Sequence, residues 1–162
     1  MDLLDRLLAH DRWATAQLLE RCRPLTNGQL DQPFDVGHGT LRTTLSHTIG
    51  AVGFWTAQMG GEAVPADSTD RPSVFALLQR HERVSTAFSA LARRVREDDL
   101  LDETFVDHEG RPTTIGTTIL HVAYHSSLHR GEARHILERL GVEDLWDGDP
   151  QEWEWSTAVQ GV

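Results

Sequence analysis

Three histidines recur at intervals of four in HVAYHSSLHRGEARHILERLG, the stretch from His121 to Gly141. Each residue of a helix advances about 100°, so a step of four leaves successive side chains about 40° apart. His121, His125 and His129 therefore share one stripe, and Glu132 falls in the same sector, whereas Arg130 and His135 point away from it. Two imidazoles one turn apart can converge on a metal ion, because their Cβ atoms are only about 5–6 Å apart. Three in succession spread over about 80° and two turns, which places one outer histidine of the run beyond the ion's reach. Such a pair needs a further ligand from another element. His47, in the middle of TTLSHTIGAVGFW, is the most suitable donor, although an imidazole among Leu45, Ile49, Val52 and Phe54 also reads as a hydrogen-bonded core residue. His10, His38, His81, His108 and His135 belong to no comparable constellation and read as ordinary polar residues.

The elements that must position these side chains are helical. Leu3, Leu4, Leu7, Leu8, Trp13, Leu18 and Leu19 recur at helical intervals between Asp2 and about Arg23, and Pro24 closes this first helix. LTNGQLDQPFDVGHG reads as a loop from its Gly, Pro, Asn and Asp content. Thr40 is a suitable N-cap for a second helix that carries His47 and runs to Gly60-Gly61. After the loop GEAVPADSTDRP, a third helix opens near Ser73, with Phe75, Leu78, Val84, Phe88, Leu91 and Val95 as its apolar stripe. Thr104, Phe105 and Val106 favour extended structure and Glu109-Gly110 supplies a turn, which predicts a short hairpin. The fourth helix begins near Thr113 or Thr114 and stops at Gly141, a fitting residue for a helix end. The fold expected is an all-α, up-and-down four-helix bundle with a short hairpin before the last long helix, one domain over residues 1–162. The acidic tail holds Trp146, Trp153 and Trp155, expected to pack on the chain's own core.

Composition narrows the partners. A net charge of −10 repels a phosphate backbone, and the one dense basic cluster, Arg93, Arg94 and Arg96, is followed at once by Glu97, Asp98 and Asp99. Nucleic acid is therefore not an expected partner, nor is a membrane, since no run approaches a spanning length. The charged start MDLLDRLLAHDRW lacks the apolar core of a signal peptide, and the single Cys22 has no internal partner for a disulfide, so a cytoplasmic location is expected.

A helical histidine followed later by HxxxHxxxHRG resembles the DinB/YfiT-like superfamily of metalloproteins. HDRWATAQLLE is similar to that family's first helix, GTLRTTLSHTIGAVGFW to its second and TTIGTTILHVAYHSSLHRGEARHILERLG to its fourth, the last being the most specific. The resemblance implies a DinB-type bundle, often dimeric, with one divalent metal held by three histidines. Position by position these fall on His47, His125 and His129, with Arg130-Gly131 following the last as the family pattern requires. His121 then becomes a neighbour on the same face, supporting or structural rather than coordinating, while Glu132 reads equally as a group that orients a ligand imidazole or moves a proton and as a surface partner for a nearby cation. Three neutral imidazoles suit zinc or nickel best, with cobalt and ferrous iron also possible, and they leave a position for water or substrate. Some relatives are transferases that use a small thiol such as bacillithiol or mycothiol. The expected partners are thus a low-molecular-weight thiol, an electrophilic substrate and a second copy of the chain. Metal-assisted hydrolysis is a second enzymatic possibility, and a non-catalytic metal-binding stress-response module is the contrasting class.

Overall fold

The helix that carries His47 starts where the threonines can close it. Thr40 Oγ1 accepts the Thr43 backbone N–H, and Thr43 Oγ1 accepts the N–H of Thr40, so two donors that the first turn leaves bare are satisfied reciprocally. Ser73 and Thr114 cap the next two long helices through their hydroxyls alone, accepting from the N–H groups of Ala76 and Thr117. The computed structural model describes residues 1–61, 63 and 70–159. Its elements are α1 (Leu3–Arg21), α2 (Asn27–Leu30), α3 (Leu41–Gln58), α4 (Val74–Glu97), β1 (Thr104–Val106), β2 (Pro112–Thr114), α5 (Ile115–Arg139) and α6 (Pro150–Val159). Most of the connection between Gly61 and Pro72, read from the sequence as a loop, lies outside the described residues, as do positions 160–162.

The chain forms the expected all-helical bundle with one antiparallel hairpin, in which Phe105 pairs with Thr113. The long helices pack in the cyclic order α1, α4, α3, α5. The consecutive pairs α1/α3 and α4/α5 therefore stand across the diagonal of the bundle. The two connections that cross it carry structure of their own, α2 in one and the hairpin in the other. One apolar cluster gathers side chains from all four long helices, with Leu19, Leu41, Leu45, Ile49, Leu77, Ile119, Ile136 and Leu137 fully buried.

Some expectations are corrected in detail. The segment read as a loop contains α2, which Thr26 and Gln29 close by a reciprocal cap and which Leu30 anchors in the core. Arg42, itself buried, reaches back from α3 to Asp31 and Asn27 and fixes this short helix. The core stripe of α4 runs through Val74, Leu77, His81, Val84, Phe88, Leu91 and Val95, in steps of three and four. Phe75 lies about 100° off that line and is 64% exposed, and Leu3 at the start of α1 is also exposed. His81 is a core residue: its Nε2–H donates to the Arg12 carbonyl, and burial lowers its pKa. The tail forms α6, where Trp153 is buried against α1 while Trp155 faces outward. Trp146 meets the Trp13 ring edge-on at 5.9 Å. At the end of α5, Gly141 takes φ +79°, and the N–H groups of Gly141 and Val142 return to the Glu138 and Leu137 carbonyls.

Candidate metal centre

Packing of α3 on α5 brings His47 opposite the histidine stripe. The Nε2 of His47 lies 3.2 Å from Nε2 of His125, which lies 3.1 Å from Nε2 of His129. The remaining nitrogen of His129, Nδ1, is 2.6 Å from Glu132 Oε2, a contact that the i, i+3 spacing makes within one helix. An ionised carboxylate only accepts, so Nδ1 carries a proton, and in the neutral ring Nε2 of His129 then presents its lone pair.

That tautomer exposes a conflict. If Nε2 of His125 is protonated it can donate to His129 but cannot accept from His47. If it is unprotonated, two lone pairs face each other across 3.1 Å. At most one of the two contacts is an ordinary hydrogen bond. A shared cation removes the conflict, since metal–nitrogen bonds of about 2.0–2.1 Å in a tetrahedron place neighbouring nitrogens about 3.3 Å apart. The donor set and its spacing therefore fit a divalent ion.

A fourth imidazole joins the group. His38, read from the sequence as an ordinary polar residue, stacks on His47 with ring centroids 3.7 Å apart, and its ring is 5.1 Å from that of His129. His38, His47 and His129 each offer a ring nitrogen within 4.8 Å of the others and could hold a metal ion. His38 owes its place to Gly37, whose φ of +61° turns the chain against α3 and α5. A Cβ on Gly37 would stand 2.7 Å from Thr44 Oγ1 and 3.2 Å from Glu132 Oε2, so a side chain there has no room. The flanking glycines of VGHG were the sequence signal for this residue.

Burial, and then the neighbouring imidazoles, push the His125 pKa down to about 4. Burial also lowers His47 and His38; for His47 the next cause is His38, and for His38 it is His129. These three rings are neutral at neutral pH, the form that coordinates a metal. His121 is placed differently. It is exposed, and its ring lies 5.2 Å from Trp55 and 5.8 Å from His125, so it borders a cleft rather than the point where the nitrogens meet.

That cleft, of about 420 Å³, opens beside His47 and His125. Gly50 and Ala51, one turn beyond His47, leave the space, and Phe54, Trp55, His108 and His121 wall it with edge-to-face rings. Behind the centre, Arg130 forms a buried ion pair with Asp11 at 2.5 Å and also donates to Thr15, which locks α5 to α1 beside His129. Cys22 is buried in the apolar core, its thiol donating to the Leu18 carbonyl, and burial pushes its pKa up to about 12. No described helix is long and apolar enough to cross a membrane.

No curated protein matches the chain. A crystal structure of a DinB-like protein from Bacillus cereus ATCC 10987 is similar at a TM-score of 0.68 and 22% identity, over 85% of this chain and 91% of that one, a likeness that speaks for the fold. The model of the DinB family matches residues 1–158, a span that takes in the four long helices and every histidine of the cluster. On that match the chain belongs to the DinB family.

Proposed function

We propose that this protein is a metal-dependent transferase in which His47, His125 and His129 hold one divalent ion, zinc or nickel, and a small thiol attacks an electrophilic substrate. The observation that carries this reading is the convergence of three Nε2 atoms, with the His129 tautomer set by Glu132, at the end of an open aromatic cleft. A bound divalent ion supplies Lewis acidity, which favours the ionised form of a thiol or water beside it. Glu132 holds His129 with its lone pair toward the ion and adds to that ring's basicity. Phe54, Trp55 and His108 offer an apolar wall against which the electrophile rests while its reacting carbon faces the histidines. The nucleophile comes from outside the chain, because the Cys22 thiol is buried and un-ionised. A free buried cysteine supports a reducing, cytoplasmic setting. The partner we propose is a second copy, docked on the outward face of α5 where Leu120, Tyr124 and Leu128 are exposed.

The competing reading is a metal-binding module without turnover. One observation favours it: His38 stacks on His47 and adds a fourth imidazole to the group. Elemental analysis and turnover together separate the two. Wild-type protein should carry one ion per chain. His47→Ala, His125→Ala and His129→Ala should each lose most of it, and His121→Ala should lose less. The metal-loaded wild type should turn over electrophiles with at least one thiol among bacillithiol, mycothiol, glutathione and coenzyme A. Equal metal loss in all four variants would overturn the ligand set, and a full complement of metal with no metal-dependent rate would leave the binding module as the function.

A further inference from the structure

We infer that His38 is a displaceable fourth ligand, which closes the metal centre at rest and gives up its position to the incoming anionic ligand. This rests on the ligand set proposed above and assigns His38 a role that a three-histidine site leaves empty.

The backbone around His38 is built to hold one side chain in one place. Its N–H donates to Thr44 Oγ1 at 3.0 Å and its carbonyl accepts from Thr43 Oγ1 at 2.7 Å, so both main-chain groups are fastened to the first turn of the helix that carries His47. The loop is closed on itself by Phe34 N–H donating to the Gly39 carbonyl at 2.7 Å. It is tied to the end of α5 by Arg139, which pairs with Asp35 and lies 4.8 Å over the Phe34 ring. A loop pinned at both ends restricts His38 to motion about its side-chain bonds.

The side chain itself is differently placed from the other three. His38 is exposed, whereas His129 is buried and His47 and His125 are half-buried. A ring nitrogen of His38 is within 4.8 Å of nitrogens on His47 and His129, so a small rotation brings it to the same ion. Rotation outward returns the ring to water, which solvates it at little cost. The exchange is a ligand substitution. Neutral imidazole leaves with its lone pair, and an anion already ionised brings its own, so no proton or electron changes hands. An exposed imidazole on a fastened loop, free to turn only about its side-chain bonds, is what one of four donors needs if the site is to be closed when idle and open to substrate.

Cobalt(II) provides a visible signal for this exchange, and azide serves as a simple anionic probe. Wild type, His38→Ala and His38→Phe are loaded with cobalt, metal affinity is measured by competition with a chromophoric chelator, and azide is titrated while the cobalt absorption is followed. If His38 fills the position for 90–99% of the time, an incoming ligand binds about 10- to 100-fold more weakly than to an open centre. Both variants should therefore bind azide tighter by roughly that factor. Both should hold cobalt more weakly, on the order of 10-fold, and far less weakly than His129→Ala. His38→Phe discriminates the alternative: it keeps a ring to stack on His47 but has no donor. If it matches wild type in spectrum and azide affinity, or if neither variant changes azide affinity, His38 is only a stacking contact and the inference fails while the three-histidine centre stands. Failure of wild type itself to bind cobalt would overturn both.

Discussion

Glu132 is the residue whose removal tests the centre without touching a ligand. Its Oε2 accepts from His129 Nδ1 at 2.6 Å, with the two side chains only 25% and 11% exposed, so the bond is charge-assisted and partly shielded from water. A hydrogen bond to a charged group contributes about 1.5–3 kcal/mol and a neutral one about 0.5–1.5 kcal/mol. Glu132→Gln retains an acceptor but loses the charge, a difference of about 1–1.5 kcal/mol, or roughly 5- to 15-fold in metal affinity. Glu132→Ala also frees the ring to rotate and to adopt the other tautomer, so its loss should approach the upper end of the 10- to 100-fold range typical of such partners. Competition with a chromophoric chelator at pH 7.5, using zinc and then nickel, gives both constants, and circular dichroism checks that the bundle is intact. The expected order is wild type, Glu132→Gln, Glu132→Ala, then His129→Ala as the weakest. If both Glu132 variants bind metal within twofold of wild type, the carboxylate does not set the His129 tautomer, and the argument from the nitrogen contacts loses its premise.

Metal-free protein should lose stability on acidification. The folded pKa of His125 is depressed to about 4 from an ordinary 6.5, so between these values the unfolded chain binds the proton that the folded chain excludes. Stability is intact above about pH 6.5 and falls toward pH 4, with His47 and His38 adding in the same direction, and Tm should decline across that window less steeply in His125→Ala. Arg130→Ala leaves the Asp11 carboxylate buried without its partner and should cost about 3–5 kcal/mol by urea unfolding; a loss under 1 kcal/mol would mean that water replaces the guanidinium. Cys22 should resist a thiol-directed reagent in the native state and react on unfolding, and Cys22→Ala should leave any turnover unchanged. Leu128→Asp should convert a dimer to monomer in sedimentation if α5 is the docking face, and an unaltered sedimentation coefficient would place the contact elsewhere.

The long helices were legible because their information is local. The 3.6-residue repeat sets the stripe of His125, His129 and Glu132 whatever the rest of the chain does, and Thr40, Ser73, Thr114 and Gly141 announce helix ends through their own side chains or backbone freedom. Phe75 shows the limit of that reading, since an apolar residue near the start of a helix satisfies the periodicity loosely and lands outside the core. The convergence of His47 on His125 depends on α3 lying against α5, a contact between residues far apart in the chain that no periodicity encodes. The order of the helices around the bundle is of the same kind, because connections as long as 22–40 and 98–114 can reach either an adjacent helix or one across the diagonal. His38 lay furthest from view. It sits on no helix, and its value comes from a left-handed Gly37 pressed against Thr44 and Glu132, where three separate segments meet and the free energy of packing, rather than any local preference, places an exposed imidazole on the ring of His47.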